Sequence, residues 1–202
     1  MILAHVALAK STSNATASCS PAGLTLAGMS TIKRSPLAPA RFPRLPAVKG
    51  LHLRTARAGI KYAGRDDLLL VEFDRGTAVA GVFTRSTTAS APVQWSRQVA
   101  GTGRARAMLV NSGNANTFTG AQGMADVKAT AVMAAKTIGC RPRDVLISST
   151  GVIGEPLPVA RFEQALPRMG RQAKKGLVAT GRPRHWHHGY LSQGQHAPGA
   201  NR

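Results

Sequence analysis

Acidic residues are scarce in this chain of 202: eight Asp and Glu stand against 27 Lys and Arg, a formal net charge of +19 at neutral pH. Such an imbalance points first to a polyanion partner such as nucleic acid. Its distribution points elsewhere. Residues 1–65 carry ten Lys or Arg and no acid, residues 169–202 carry six and no acid, and all eight acids (Asp66, Asp67, Glu72, Asp74, Asp126, Asp144, Glu155, Glu163) fall in 66–168. Eleven basic residues accompany them, so the middle is nearly neutral and the excess belongs to the two ends. Aromatics are also few, 4% of residues, which leaves packing to Ala, Val, Leu and Ile and removes the stacking platforms of a single-strand binder. The two cysteines, Cys19 and Cys140, are far apart and outside any CxxC pair, which excludes a disulfide framework or a cysteine zinc site and fits reduced thiols in a cytoplasmic protein. No histidine occurs in 66–168, so a Ser-His-Asp triad there would need His52 or a tail histidine to fold back. No apolar run approaches the roughly 18 residues of a membrane span.

What remains is α/β in pattern. The first 28 residues open on ILAHVALA, with Lys10 after rather than before the apolar run, and fit neither a secretory signal nor a transit peptide; Met29 is the expected start. Residues 29–50 form a basic arm in which Pro36, Pro39, Pro43 and Pro46 forbid a helix. Strands are expected at 68–73 and 77–84, joined as a hairpin by Asp74, Arg75 and Gly76. Ala91, Pro92 and Val93 break the pattern. Another strand, 107–110, runs into Asn111, Ser112, Gly113, Asn114, Ala115 and Asn116, a cluster of turn formers that reads equally as a self-bonded turn or as an amide-rich site wall. A helix is expected over 123–139, with Val127, Ala131, Ala134 and Ile138 on one stripe and Gly139 as its C-cap. A second begins within 156–166, with Val159, Phe162 and Leu166 on its apolar face. Hairpin, strand, helix, strand and helix make a mixed sheet with packed helices.

The stretch at 143–158, RDVLISSTGVIGEPLP, organises the rest. The run 145–147 reads as a buried strand that delivers Ser148, Ser149, Thr150 and Gly151 into a loop. Small residues there leave the backbone open, so N–H groups or a hydroxyl can converge on an oxygen that gains charge during acyl transfer, an oxyanion hole. A strand-to-helix turn that merely tolerates tight geometry is the alternative. Other motifs carry less. The adjacent Asp66 and Asp67 read as a solvated strand start, Gly101-Thr102-Gly103 lacks the Lys and helix of a phosphate loop, and His185, His187 and His188 lie in an aperiodic tail with no carboxylate or Cys to complete a metal site.

The segments AGIKYAGRDDLLLV, VAGVFT, SAPV, ARAMLVNSGNANTFTG and VLISSTGVIGEPLP resemble, in that order, the N-terminal half of ornithine acetyltransferase, the bifunctional glutamate N-acetyltransferase of arginine biosynthesis. The resemblance implies the incomplete N-terminal, α-chain part of that fold over 51–168, a truncated acetyltransferase domain. It implies acetyl transfer from N-acetylornithine to glutamate, acetyl-CoA as a further donor in some members, no bound cofactor or metal, and two α and two β chains in the complete enzyme. It places the oxyanion hole at Thr150 and Gly151, beside a candidate wall of Asn111, Ser112, Gly113, Asn114 and Asn116. The family's nucleophile is a Thr freed by self-cleavage at an Ala-Thr bond, able to use its own amine as base. No matching site follows here, since Ala179-Thr180 lies too close to Thr150 and lacks the flanking residues.

Codons exist for residues 181–192 that, read one base later, spell the family's Thr-Thr-Asp-Thr motif. The tail at 169–202 is therefore expected to be disordered and out of frame, 1–28 non-native or disordered, and the chain alone poorly soluble and inactive. Two other classes compete: a basic nucleic-acid binder gripping phosphates with its two ends, and a fragment of a self-processing aminopeptidase that uses an N-terminal nucleophile.

Overall fold

The computed structural model describes residues 48–171, together with the backbones of two short strands at His5–Ala9 and Lys175–Gly176. The elements in order are β1 (His5–Ala9), β2 (Leu51–Ala56), β3 (Leu68–Phe73), β4 (Ala78–Val82), α1 (Ala91–Gly101), β5 (Ala107–Asn114), α2 (Gly120–Ile138), a 3-10 turn (Pro142–Asp144), β6 (Val145–Val152), α3 (Val159–Gly170) and β7 (Lys175–Gly176). Five strands form one mixed sheet in the order β6-β5-β3-β2-β7, and β1 pairs with β4 in a separate ribbon. Among the described strands only β5 and β6 pair in parallel; β3 is antiparallel to β2 and to β5.

The central strand explains most of this order. Every residue of β3, LLLVEF, is buried, as expected for a strand covered on both faces. Leu68 and Leu70 point with Ala107, Leu109, Val145 and Ile147 into a core closed by α2 and α3, while Leu69, Val71 and Phe73 join Val110, Leu146, Val79 and Val99 on the other face. Val127, Ala131 and Ala134 of α2 are fully buried on the first face, so the slim stripe expected from the sequence is the packing stripe. Gly139 ends α2 in the left-handed region at φ 76°, and the N–H groups of Gly139 and Cys140 both donate to the Ala135 carbonyl.

Four expectations change. The hairpin of β3 with β4 does not form: both edges of β3 are taken by β2 and β5, and β4 instead pairs with β1 and bridges Arg104 through Ala78. The turn itself is present, with Gly76 at φ 81° and Thr77 N–H donating to the Asp74 carbonyl. Residues 91–93 do not break structure but begin α1, because Pro92 sits in the first turn, where its missing N–H has no helical partner to lose. The helix expected from 123 starts at Gly120, and the one expected within 156–166 runs from Val159 through Pro167 to Gly170. The strands at 107 and 145 continue to Asn114 and Val152, through residues expected as loops, since each supplies the other's hydrogen bonds. The histidines at 185–188 and the Ala179-Thr180 pair lie outside the described residues.

Candidate active site

The C-terminal ends of β5 and β6 lie side by side, with Asn111 opposite Ser149, Ser112 opposite Thr150 and Gly113 opposite Gly151. The two stretches singled out in the sequence are therefore one place. Both glycines have positive φ, 120° at Gly113 and 134° at Gly151. A Cβ on Gly151 would lie 2.2 Å from the carbonyl carbon of Gly113 and 2.5 Å from the Asn114 nitrogen, so the strands touch closely enough to require glycine. The register shifts immediately afterwards, between Gly113 and Asn114, and Ala115 N–H then donates to the Val152 carbonyl at 2.8 Å.

β6 is an edge strand, and α1 covers part of its outer edge. Trp95 Nε1 donates to the Val145 carbonyl at 2.8 Å, and Ser96 Oγ both donates to the Ile147 carbonyl at 2.6 Å and accepts from Ile147 N–H at 2.8 Å. Peptide groups alternate along a strand, so those of Ser149 and Gly151 face the same edge, beyond Ser96. Thr150 is half-buried and Gly151 exposed, while Val145, Leu146 and Ile147 are buried. Gly151 thus lies exposed at the end of β6, beyond the buried run of Val145, Leu146 and Ile147, and a backbone N–H in such a place can serve as a donor to a developing oxyanion.

The asparagines do different work. Asn111 Nδ2 donates to the Asn114 carbonyl at 2.8 Å, and Asn114 Nδ2 donates to the carbonyls of Glu155 and Pro156 at 3.1 Å each. Asn116 Nδ2 donates to the Gly123 carbonyl, and Asn116 Oδ1 accepts from Thr119 Oγ1 at 2.7 Å. Asn111, Ser112, Asn114 and Asn116 are all at most 3% exposed. Their amides bind the main chain around the site and hold its wall in shape.

Asp66 and Asp67 part company. Asp66 is half-exposed and pairs with Arg57, whereas Asp67 is fully buried and accepts from Ala58 N–H and Ile60 N–H at 2.6 Å each. The solvated reading holds for neither fully, and for Asp67 it is wrong: its two oxygens close the loop at 57–66 over the sheet end. Burial pushes the Asp67 carboxyl above its ordinary value, against the Ile60 and Ala58 N–H bonds that pull it down. Lys61, in that loop, meets both carboxylate oxygens of Glu155 at 2.7 and 2.8 Å. Asp67, Lys61 and Glu155 are thus neighbours of the site that no motif in the sequence marks. The unbroken apolar run LLLV directly after Asp67 is a usable signal, since a residue that leads into an all-buried strand is itself drawn toward the interior.

His52 does not reach this place. It stands opposite Glu72, with Nε2 3.4 Å from an oxygen of Asp74, at the far end of the sheet. Among the described residues no group of three His, Cys, Asp or Glu side chains is placed to hold a metal ion, and no helix is long and apolar enough to cross a membrane.

Comparison with known proteins sets this geometry in a family. The ArgJ family profile matches residues 52–185. The chain belongs to the ArgJ family. It is 51% identical over 142 residues to the arginine biosynthesis bifunctional protein ArgJ of Bradyrhizobium diazoefficiens, covering 70% of this chain and 34% of that protein. It is similar to the ornithine acetyltransferase of Mycobacterium tuberculosis, solved with ornithine, at 38% identity and a TM-score of 0.59, over 61% of this chain and 67% of that one. The Bacillus halodurans ArgJ structure matches at 28% identity and a TM-score of 0.58, over 67% of this chain and 72% of that one. The chain spans about a third of the length of the curated ArgJ proteins it matches.

Proposed function

We propose that this chain supplies the oxyanion-stabilising part of an acetyltransferase that moves an acetyl group from N-acetylornithine to glutamate in arginine biosynthesis. The observation that carries the proposal is the Gly113–Gly151 contact at the joined ends of β5 and β6, which sets Thr150 and Gly151 at the end of the strand beyond the buried Val145, Leu146 and Ile147. In the reaction, a Thr hydroxyl from outside the described residues attacks the acetamide carbonyl and its carbonyl oxygen becomes an alkoxide. The Gly151 N–H and the Thr150 residue face that charge. The alkoxide collapses and ornithine leaves with the proton taken from the Thr; the amine of glutamate then attacks the acetyl ester, the bond from the Thr oxygen to the acetyl group breaks, and the amine's proton returns to that oxygen as N-acetylglutamate leaves. Acetyl-CoA serves the same site as an alternative donor, because a thioester carbonyl develops the same oxyanion. A cytoplasmic enzyme of two α and two β chains completes the proposal, by analogy with the family.

The near-neutral middle of the chain favours this reading over nucleic-acid binding. The test is a chimera in which residues 52–166 replace the matching segment of the Bradyrhizobium diazoefficiens ArgJ protein. The chimera should transfer acetyl from N-acetylornithine to glutamate, and Gly151→Ala in it, which keeps the N–H but forces β5 and β6 apart and so moves that donor out of place, should lower kcat by about 10²–10³, the loss typical when one oxyanion donor is lost. A folded chimera with no transfer, or with full activity after Gly151→Ala, would refute the proposal.

A further inference from the structure

We infer that Lys61 and Glu155 are positioning residues: their ion pair presses the 57–66 loop onto Gly113 and so sets where the Gly151 N–H stands. This inference rests on the oxyanion role proposed for Gly151. Four contacts form a closed ring. Gly151 is paired with Gly113 across the strands. Gly113 lies under Lys61, whose Cβ would be 2.9 Å and whose nitrogen 3.3 Å from a Cβ built there. Lys61 Nζ meets both oxygens of Glu155 at 2.7 and 2.8 Å. Glu155 is joined to Gly151 by only three intervening residues, and its carbonyl is held by Asn114 Nδ2 at 3.1 Å.

Each link constrains the next because no slack is available. The loop end is anchored independently, by Ala58 and Ile60 N–H on Asp67, so Lys61 starts from a fixed root. The other end is anchored too, by Gly154 N–H on the Thr117 carbonyl at 2.8 Å. What spans the two anchors is the ion pair. Its side chains are 34% and 45% exposed, and ion pairs at that exposure add little to global stability. Losing the pair should therefore leave the fold standing while freeing the sheet end, and that separates positioning from a merely structural role.

The test has two arms. In the active chimera, Lys61→Met and Glu155→Gln should each lower kcat about tenfold or more, as displacement near the reacting atoms does, with KM for N-acetylornithine changed less than twofold and the melting temperature nearly unchanged. The charge-swapped double variant, Lys61→Glu with Glu155→Lys, should recover most of the lost kcat. In the 202-residue chain itself, Lys61→Met should speed amide exchange at Ala115 and Gly154, which donate across the sheet end, and leave α2 unchanged. Unchanged kcat in an active chimera, no recovery in the swap, or unchanged exchange at Ala115 and Gly154 would each overturn the inference. An inactive parent chimera would instead count against the acetyltransferase proposal, and the exchange arm would still decide the positioning claim.

Discussion

Replacing Gly151 by Ala tests the contact on which the site is built. The new Cβ would lie 2.2 Å from the Gly113 carbonyl carbon, 2.5 Å from the Asn114 nitrogen and 2.6 Å from the Gly113 oxygen, all main-chain atoms that cannot rotate away. Ordinary contact begins at 3.4 Å, so β5 and β6 must part by more than about 1 Å. Backbone at φ 134° adds strain of about 1–3 kcal/mol for a residue with a Cβ, and overpacking adds about 1–3 kcal/mol. The expected loss is about 2–6 kcal/mol, a large share of the roughly 5–15 kcal/mol that holds a domain together. Urea unfolding of the 202-residue chain, followed by far-ultraviolet circular dichroism, measures it. Gly154→Ala is the control. Its φ is 77°, but no atom lies within 4 Å of the added Cβ, so only the left-handed cost of about 1–2 kcal/mol applies. Equal losses at the two positions would show that the strands do not touch as described.

Asp67→Asn should lower the urea midpoint by the equivalent of about 1–3 kcal/mol, because one of the two N–H groups at Ala58 and Ile60 then faces an amide donor in place of an oxygen. Chemical denaturation with and without the substitution measures this, and no change would mean that the loop is not held by that carboxylate. A pH effect is expected at Asp144, whose carboxyl lies below its ordinary value first through the side-chain bond from Arg141. A lowered carboxyl contributes stability that is present above its unfolded value and is lost as pH falls through the folded one. Asp144→Asn should accordingly lower the midpoint near neutral pH and make no difference in strong acid; a deficit that persists in acid would refute the ion-pair account.

Much of the fold could be read from period and punctuation. The buried stripe of α2, its Gly139 cap and the all-apolar β3 follow from local pattern, and local pattern is what a helix face or a central strand imposes. The missed helix α1 shows the limit. Its buried positions, Ala91, Pro92, Val93, Ser96 and Val99, include a serine where the stripe calls for an apolar residue. Ser96 is there because it bonds both the N–H and the carbonyl of Ile147 on the outer edge of β6, beside the Trp95 bond to Val145, and no reading of 91–101 in isolation contains those partners. The false hairpin has the same cause. Asp74, Arg75 and Gly76 do form a turn, but which strands pair was decided by competition for the two edges of β3, and β2 and β5 won both.

The site was half legible for a related reason. NSGN reads from sequence as a self-bonded turn or an amide-rich wall and SSTG as a loop, because Asn, Ser and Gly favour turns when no partner is specified. Each stretch supplies what the other lacks. Gly113 and Gly151 both fall six residues after the first paired residues, Ala107 and Val145, so two strands aligned in parallel bring glycine against glycine at the one point where a side chain would hold them apart. That equal offset was present in the chain all along, yet it acquires meaning only once β5 and β6 are known to be parallel neighbours. Removing either glycine's freedom should therefore be felt at the other, and the more severe effect belongs to Gly151. The Cβ it would carry meets main chain at 2.2–2.6 Å, whereas one on Gly113 meets the Lys61 Cβ at 2.9 Å and main chain only at 3.3 Å.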